Sequence, residues 1–276
     1  MKLSIIIPTL GRETLKEVLQ GIRACENFEK INPEVIVVFD GIKNPGSKFP
    51  EPGFKVLETG QKLGASGARN LGIEKATGDI LVFVGDDTIP EVSWLKNVQN
   101  FHESYPEGNR GLLGMVSWVP ELAKDPFHKW LLNHAQFAFG SIKKKGATWR
   151  HFYTSNISVK RSLVGDTRFP ENFKGWGFED ILFGYELHKK GLKLTFDEQC
   201  EVLHNHPQSL GAVLAHTRNA RKNAKVLEEK TGINILPQGF KLIVLKLVIF
   251  VGFIFSFMSP KIGWWVKWKK VWIDKK

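Results

Sequence analysis

Two carboxylates stand side by side at Asp86-Asp87, just after the apolar run Ile80–Val84 and Gly85. Adjacent acids repel unless something positive sits between them, and hard oxygen ligands suit Mg2+ or Mn2+. An ion held there would bind a diphosphate. A third acid, Asp40, also follows a short apolar run, Val35–Phe39, and precedes Gly41. Farther along come Glu179-Asp180, behind Trp176-Gly177-Phe178, and then His204-Asn205-His206. Acids and histidines of this kind hold metals or move protons.

Each has a plainer structural alternative. Asp86 and Asp87 would cap the helix that follows. Asp40-Gly41 would be an ordinary turn, and Arg69 would pair with an acid on its own helix. Glu179 and Asp180 would simply favour a helix N-terminus. Trp176 would be core rather than a platform on which a ligand ring stacks. His204 and His206 alternate on a strand and therefore point to opposite faces, so one of them, with His204 slightly preferred, would bind a metal and the other would be structural.

The elements that must position these residues read as follows. Leu3–Ile7 is a buried strand stopped by Pro8, and residues 12–25 carry Leu15, Val18, Leu19 and Ile22 at helical spacing. Val35–Phe39 is a second buried strand, Lys43 to Gly53 a loop, and Phe54–Leu57 a third strand. Ala65–Ala76 reads as a helix stopped by Gly78, and Ile80–Val84 as the most buried strand. Pro90 is placed to open a helix running to about Phe101. Continuous apolar strands alternating with helices predict an α/β fold, a Rossmann-like, mostly parallel sheet flanked by helices. In such sheets ligands bind outside the carboxyl ends of the strands, which is where Asp40 and Asp86-Asp87 stand. Residues 111–175 lack clean periodicity and read as mixed strand and loop, with a mobile loop near 120–150 at the edge of the site. Phe178–Lys190 is again helical, Leu192–Phe196 a strand, and Leu210–Lys230 a helix ended by Gly232.

The chain has 276 residues and a formal net charge of +11, which favours anionic partners. Cys25 and Cys200 are far apart and form no CxxC motif, so they read as reduced thiols of a cytoplasmic protein. The N-terminal apolar run is too short for a signal peptide. The tail differs from the rest. Residues 242–258 are apolar apart from Lys246 and Ser256, 17 positions in all; a membrane span needs roughly 17–25. Trp264, Trp268 and Trp272 follow on one helical face, with Lys267 and Lys270 across from them. That pattern predicts a helix lying at a membrane interface. The expected organisation is a catalytic domain over 1–235 and a membrane-associating tail over 236–276. The structural alternative for 242–258 is a buried core helix.

Taken in order, several stretches resemble the family 2 glycosyltransferases, inverting enzymes of the GT-A fold. These are Leu3–Thr9, Val37–Gly41, Gly67–Ile73 with Ala76–Asp79, Leu81–Asp87, Trp176–Asp180 and His204–His206. Any one is weak, but together they follow the family's order from residue 3 to about 206.

The resemblance implies an enzyme, a hexosyltransferase-like protein moving a sugar from a nucleotide-diphosphate donor, commonly UDP-linked, to an acceptor hydroxyl. It assigns Pro8, Thr9, Asp40, Arg69 and Asp86 to the nucleotide, with Asp40 on the base and Asp86 on the ribose. It assigns Asp87, with His204 or His206, to Mn2+ or Mg2+, and Asp180, in its pair with Glu179, to the catalytic base. Two positions depart from the pattern. Gly85 stands where many members carry the first acid of a triplet, and Phe39 where many carry an acid before Asp40. The tail adds the expectation of a lipid-linked or cell-surface glycan acceptor at the cytoplasmic face of a membrane. Nucleic acid is not an expected partner, because the lysines concentrate beside tryptophans and an apolar helix. The rival reading is a degenerate GT-A protein acting as a membrane-surface scaffold. A dinucleotide-binding oxidoreductase is excluded, since the first turn, Pro8-Thr9-Leu10-Gly11-Arg12, lacks the glycine fingerprint.

Overall fold

The computed structural model describes the chain except for residues 44–52, 135, 174–176, 238, 255–258 and 274–276. Most of the loop expected over Lys43–Gly53, and Trp176, therefore lie outside the described residues. The first half alternates strand and helix: β1 (Leu3–Thr9), α1 (Thr14–Arg23), α2 (Phe28–Ile31), β2 (Glu34–Phe39), β3 (Lys55–Glu58), α3 (Gly64–Lys75), β4 (Ile80–Val84), β5 (Thr88–Pro90) and α4 (Trp94–Ser104). Then come β6 (Arg110–Trp118), α5 (Pro120–Ala123), α6 (Pro126–Leu131), α7 (Phe139–Lys145), β7 (Asn156–Lys160), α8 (Arg161–Val164), α9 (Glu179–Lys189) and β8 (Lys193–His204). Three helices finish the chain: α10 (Leu210–Thr231), α11 (Gly239–Ile254) and α12 (Pro260–Ile273).

All eight strands form one mixed sheet in the order β3-β2-β1-β4-β7-β6-β8-β5. β1, β2, β3 and β4 run parallel to their neighbours among themselves, while β7 is antiparallel to both β4 and β6. Residues of β1, β2 and β4 are buried on both faces, as a sheet covered by helices on each side requires. One face packs against Leu15, Val18, Leu19 and Ile22 of α1 and Trp94, Leu95 and Val98 of α4. The other packs against Ala68 and Ile73 of α3 and Phe183 and Leu187 of α9. This is the α/β architecture expected from the periodicity.

Four expectations need correction. The first strand continues through Pro8 to Thr9. The Thr9 carbonyl faces β2, where it accepts from Asp40 N–H at 2.9 Å. Pro8 therefore faces β4, whose pairing has already ended at Ile6, and no ladder bond is lost. Pro90 does not open a helix; it ends the three-residue strand β5, and α4 starts at Trp94. The stretch near 120–150 is built largely from the short helices α5, α6 and α7 rather than loop. The strand expected over Leu192–Phe196 continues to His204.

The tail also differs. No helix among the described residues is long and apolar enough to cross a membrane. Nor are the α12 tryptophans all turned outward: Trp264 lies edge-on 5.1 Å from Phe127, and Trp264 and Trp268 each lie 6.1 Å from Trp130. They join a small aromatic core with Trp118 and Leu131. α12 thus seals the α5–α6 region, and α11 packs against α12.

Candidate active site

Asp86 and Asp87 follow β4 and Gly85, at its carboxyl end. The Thr9 hydroxyl at the end of β1 donates to Asp86 Oδ2 at 2.7 Å, and the Thr14 hydroxyl donates to the Asp86 carbonyl at 2.9 Å. The first strand–helix loop is thereby fastened to the acid pair. Burial pushes the Asp86 carboxyl above the usual range, and the charge of Asp87 adds to it. Asp87 is shifted the other way. Burial alone would raise it, but the His204 contact and the charges of His204, Arg12 and His206 outweigh that and lower it. So the two adjacent acids are unequal, with Asp87 the readier anion.

Arg12 is the residue that sequence reasoning missed. Its Nη1 lies 2.7 Å from Asp87 Oδ2 and its Nε 3.8 Å from Asp86 Oδ1. The available signal was a basic side chain in the first loop at the carboxyl end of a parallel sheet.

His204 reaches Asp87 because β5 pairs antiparallel with the end of β8, setting Thr88 opposite His204. The Asn205 N–H also donates to the Asp87 carbonyl at 2.7 Å. His204 Nε2 comes to rest 3.3 Å from Asp87 Oδ2, and its ring packs 4.7 Å from that of Trp118. His206 lies beyond the end of the strand, so strand alternation does not govern it. The two imidazole centroids are 6.3 Å apart, and His206 senses the Asp87 charge.

Asp87 and His204 fit a divalent ion. Metal–oxygen bonds of about 2.1 Å place neighbouring octahedral ligands about 3 Å apart, close to the observed separation. The guanidinium of Arg12 shows that the carboxylate accepts a cation. Among the described residues, no three His, Cys, Asp or Glu groups converge on one point. Ligands from the substrate would have to complete such a site. At Gly85, where the first acid of the triplet is missing, a Cβ would lie 2.8 Å from the Asp87 Oδ1 atom, so a side chain there would require the Asp87 carboxylate to turn. Phe39, the other departure, is fully buried in the core beneath the site.

Glu179 and Asp180 open α9, directly after Phe178, whose backbone is left-handed at φ 73°. Arg69 on α3 reaches across to Glu179 at 3.3 Å. It pairs between elements, and no acid on its own helix holds it. Its Nε is buried without a hydrogen-bond partner among the described residues. Burial, with the neighbouring charge of Glu179, pushes the Asp180 carboxyl up to about 7, against the opposing pull of Arg69. The buried Tyr153 hydroxyl lies near enough to feel Asp180, which adds to the effect of burial in raising it. From behind, Asn223 on α10 donates to the Gly177 carbonyl at 2.9 Å, and a Cβ at Gly177 would lie 2.9 Å from Ala220. Trp272 of α12 packs edge-on against Phe178. α10 and α12 therefore back the segment that carries Asp180.

Asp40 is buried, and its carboxylate is already engaged. It accepts from the N–H groups of Leu63 and Gly64 at 2.7 and 2.9 Å and from the Thr59 hydroxyl at 3.2 Å. It ties the end of β2 to the start of α3.

The profile of the family described as "Glycosyl transferase family 2" matches residues 4–164. The chain belongs to glycosyltransferase family 2. Among its relatives is a glucosyl-dolichyl phosphate glucuronosyltransferase of Haloferax volcanii, 25% identical over 245 residues, which cover 84% of this chain and 71% of the relative. A GalNAc(5)-diNAcBac-PP-undecaprenol beta-1,3-glucosyltransferase of Campylobacter jejuni is 28% identical over 185 residues, 63% of this chain and 56% of that one. This family 2 member therefore spans only part of the length of these relatives. Among solved structures, a mannosyltransferase from Pyrobaculum calidifontis in complex with GDP-Man and Mn2+ superposes with a TM-score of 0.65 at 17% identity, covering 98% of this chain and 84% of that one. At that identity the likeness shows the shared GT-A fold. Both free cysteines of this glycosyltransferase, Cys25 and Cys200, are buried.

Proposed function

We propose that the protein moves a sugar, with inversion, from a nucleoside-diphosphate donor, UDP-linked in the first instance, to a hydroxyl of a lipid-linked or polysaccharide acceptor. The observation that carries this reading is the Asp87–His204 pair, assembled across the sheet by β5 and β8 at the carboxyl end of β4. Asp87 and His204, with His206 alongside, would hold Mn2+ or Mg2+, and such an ion would offset the charge that builds on the departing diphosphate. Asp86 faces the ribose. The Arg69 Nε–H, buried and without a partner among the described residues, donates to the nucleotide. Asp40 frames the nucleobase pocket through Leu63 and Gly64, and Pro8 and Thr9 form its near wall.

Asp180 takes the proton of the acceptor hydroxyl as that oxygen attacks the anomeric carbon. A carboxylate poised near neutrality suits a base, since it is ionised in use yet still basic. Glu179 keeps Asp180 in that range and binds Arg69, so base and donor pockets share one ion pair. The lipid-linked acceptor is supported by relatives whose names specify dolichyl phosphate and undecaprenol. With such an acceptor the enzyme would work peripherally at the cytoplasmic face of a membrane, with residues 236–276 as the attachment.

A second reading, a degenerate scaffold, is favoured by Arg12 on Asp87 and by the missing acid at Gly85. Calorimetric titration with UDP and GDP, with and without Mn2+, separates the two. Metal-dependent binding lost in Asp87→Ala supports the enzyme, and absence of binding under both conditions supports the scaffold.

A further inference from the structure

Ten large apolar side chains are exposed among the described residues, and five of them lie on α11: Ile243, Leu247, Val248, Phe250 and Phe253. The other five, such as Leu10 and Val92, are scattered. Ile243, Leu247 and Phe250 follow i, i+4, i+7 spacing and form one stripe, with Phe253 a turn beyond. Leu247, Phe250 and Phe253 are each 60% exposed or more. On the opposite side, Gly252 meets Val266 of α12, so α11 is anchored through α12 and presents its other face outward. A contiguous patch of this kind marks an interaction surface.

The charge around it selects the partner. Residues 239–273 contain six lysines and no acid. Lys246 is exposed within the apolar stretch itself, and Lys261, Lys267 and Lys270 are exposed on α12. A second copy of this chain would set lysines against lysines. An anionic surface would be neutralised by them, and long lysine stems let the ammonium stay at the headgroups while the rings go deeper. α11 is 16 residues long, about 24 Å, and suits lying in a membrane plane.

We infer that the outer face of α11, and not the tryptophan face of α12, docks on an anionic lipid bilayer, while the tryptophans join this pad to the catalytic body. The inference deepens the reading of a membrane-borne acceptor and rests on it for its purpose, but its test does not depend on catalysis.

The test is sedimentation of the full-length protein with phosphatidylcholine vesicles, plain or mixed with phosphatidylglycerol. Wild type is expected to bind the mixed vesicles and to be released by salt. The double variant Phe250→Asp/Phe253→Asp should bind at least about ten-fold more weakly, because two ring burials are lost. Lys246→Glu and Lys267→Glu should each weaken binding about five-fold. Trp264→Phe, altered on the inner side, should bind as wild type does. Undiminished binding by the double phenylalanine variant, its fold verified by circular dichroism, would overturn the inference. So would a wild-type dimer, seen by light scattering, that these substitutions dissolve without any vesicle binding. Nucleotide binding measured on the same preparations keeps the questions apart. Vesicle binding without nucleotide binding would sink the proposed reaction and leave the docking surface standing.

Discussion

Arg12 Nη1 and Asp87 Oδ2 lie 2.7 Å apart, and His204 Nε2 approaches that same oxygen at 3.3 Å. One carboxylate oxygen thus faces a fixed cation and a metal-capable imidazole together. Arg12 must yield before a divalent ion can use that oxygen. Removing it, as in Arg12→Gln, should tighten Mn2+ binding in the absence of nucleotide. The pair is partly exposed and screened, so the gain is modest, about two- to five-fold. Asp87→Ala should weaken the same binding by about ten-fold or more. Titration of free Mn2+ followed by electron paramagnetic resonance measures both; an unchanged affinity in Arg12→Gln would remove the competition.

The pH dependence should report Asp180. It must be ionised to accept a proton, so kcat/KM should rise with pH and level off above about 7. Glu179 raises Asp180 and Arg69 lowers it. Glu179→Gln should therefore move the acidic limb to lower pH, and Arg69→Met should move it higher. Asp180→Asn should cost roughly 10²–10⁴-fold in kcat/KM on the plateau above about pH 7, and the deficit should narrow as pH falls along the acidic limb. Limbs that moved in the reverse directions would show that another group carries the profile.

The tail should contribute to stability as well as to attachment. Trp264 and Trp268 cover Phe127 and Trp130, so cutting the chain after residue 236 would bare an aromatic surface. Trp264→Ala/Trp268→Ala should lower the melting temperature by several degrees, since each half-buried ring contributes roughly 1–3 kcal/mol. Phe250→Ser on the outward face of α11 should leave it unchanged. Equal melting temperatures for all three proteins would mean that α12 does not pack as described.

The strands β1, β2 and β4 were legible because their continuous apolar runs fit only burial on both faces, and α1 because its apolar spacing is regular. The acids were legible because they follow such runs. What sequence could not show was pairing between distant segments. Thr88–Pro90 is too short to signal a strand, yet its register with β8 is what delivers His204 to Asp87. Arg12 looked like an ordinary loop residue because its partners are more than seventy positions away. The tryptophan pattern of α12 was read correctly as one face of a helix, but periodicity does not say whether that face meets lipid or protein. Here Phe127 and Trp130 take much of it.

The most direct test of the central claim is release of nucleoside diphosphate from a panel of UDP- and GDP-sugars by the purified protein, followed with Mn2+ and after chelation. Metal-dependent turnover of at least one donor is expected, abolished in Asp87→Ala and strongly reduced in Asp180→Asn. Turnover that persists unchanged in both variants would contradict it.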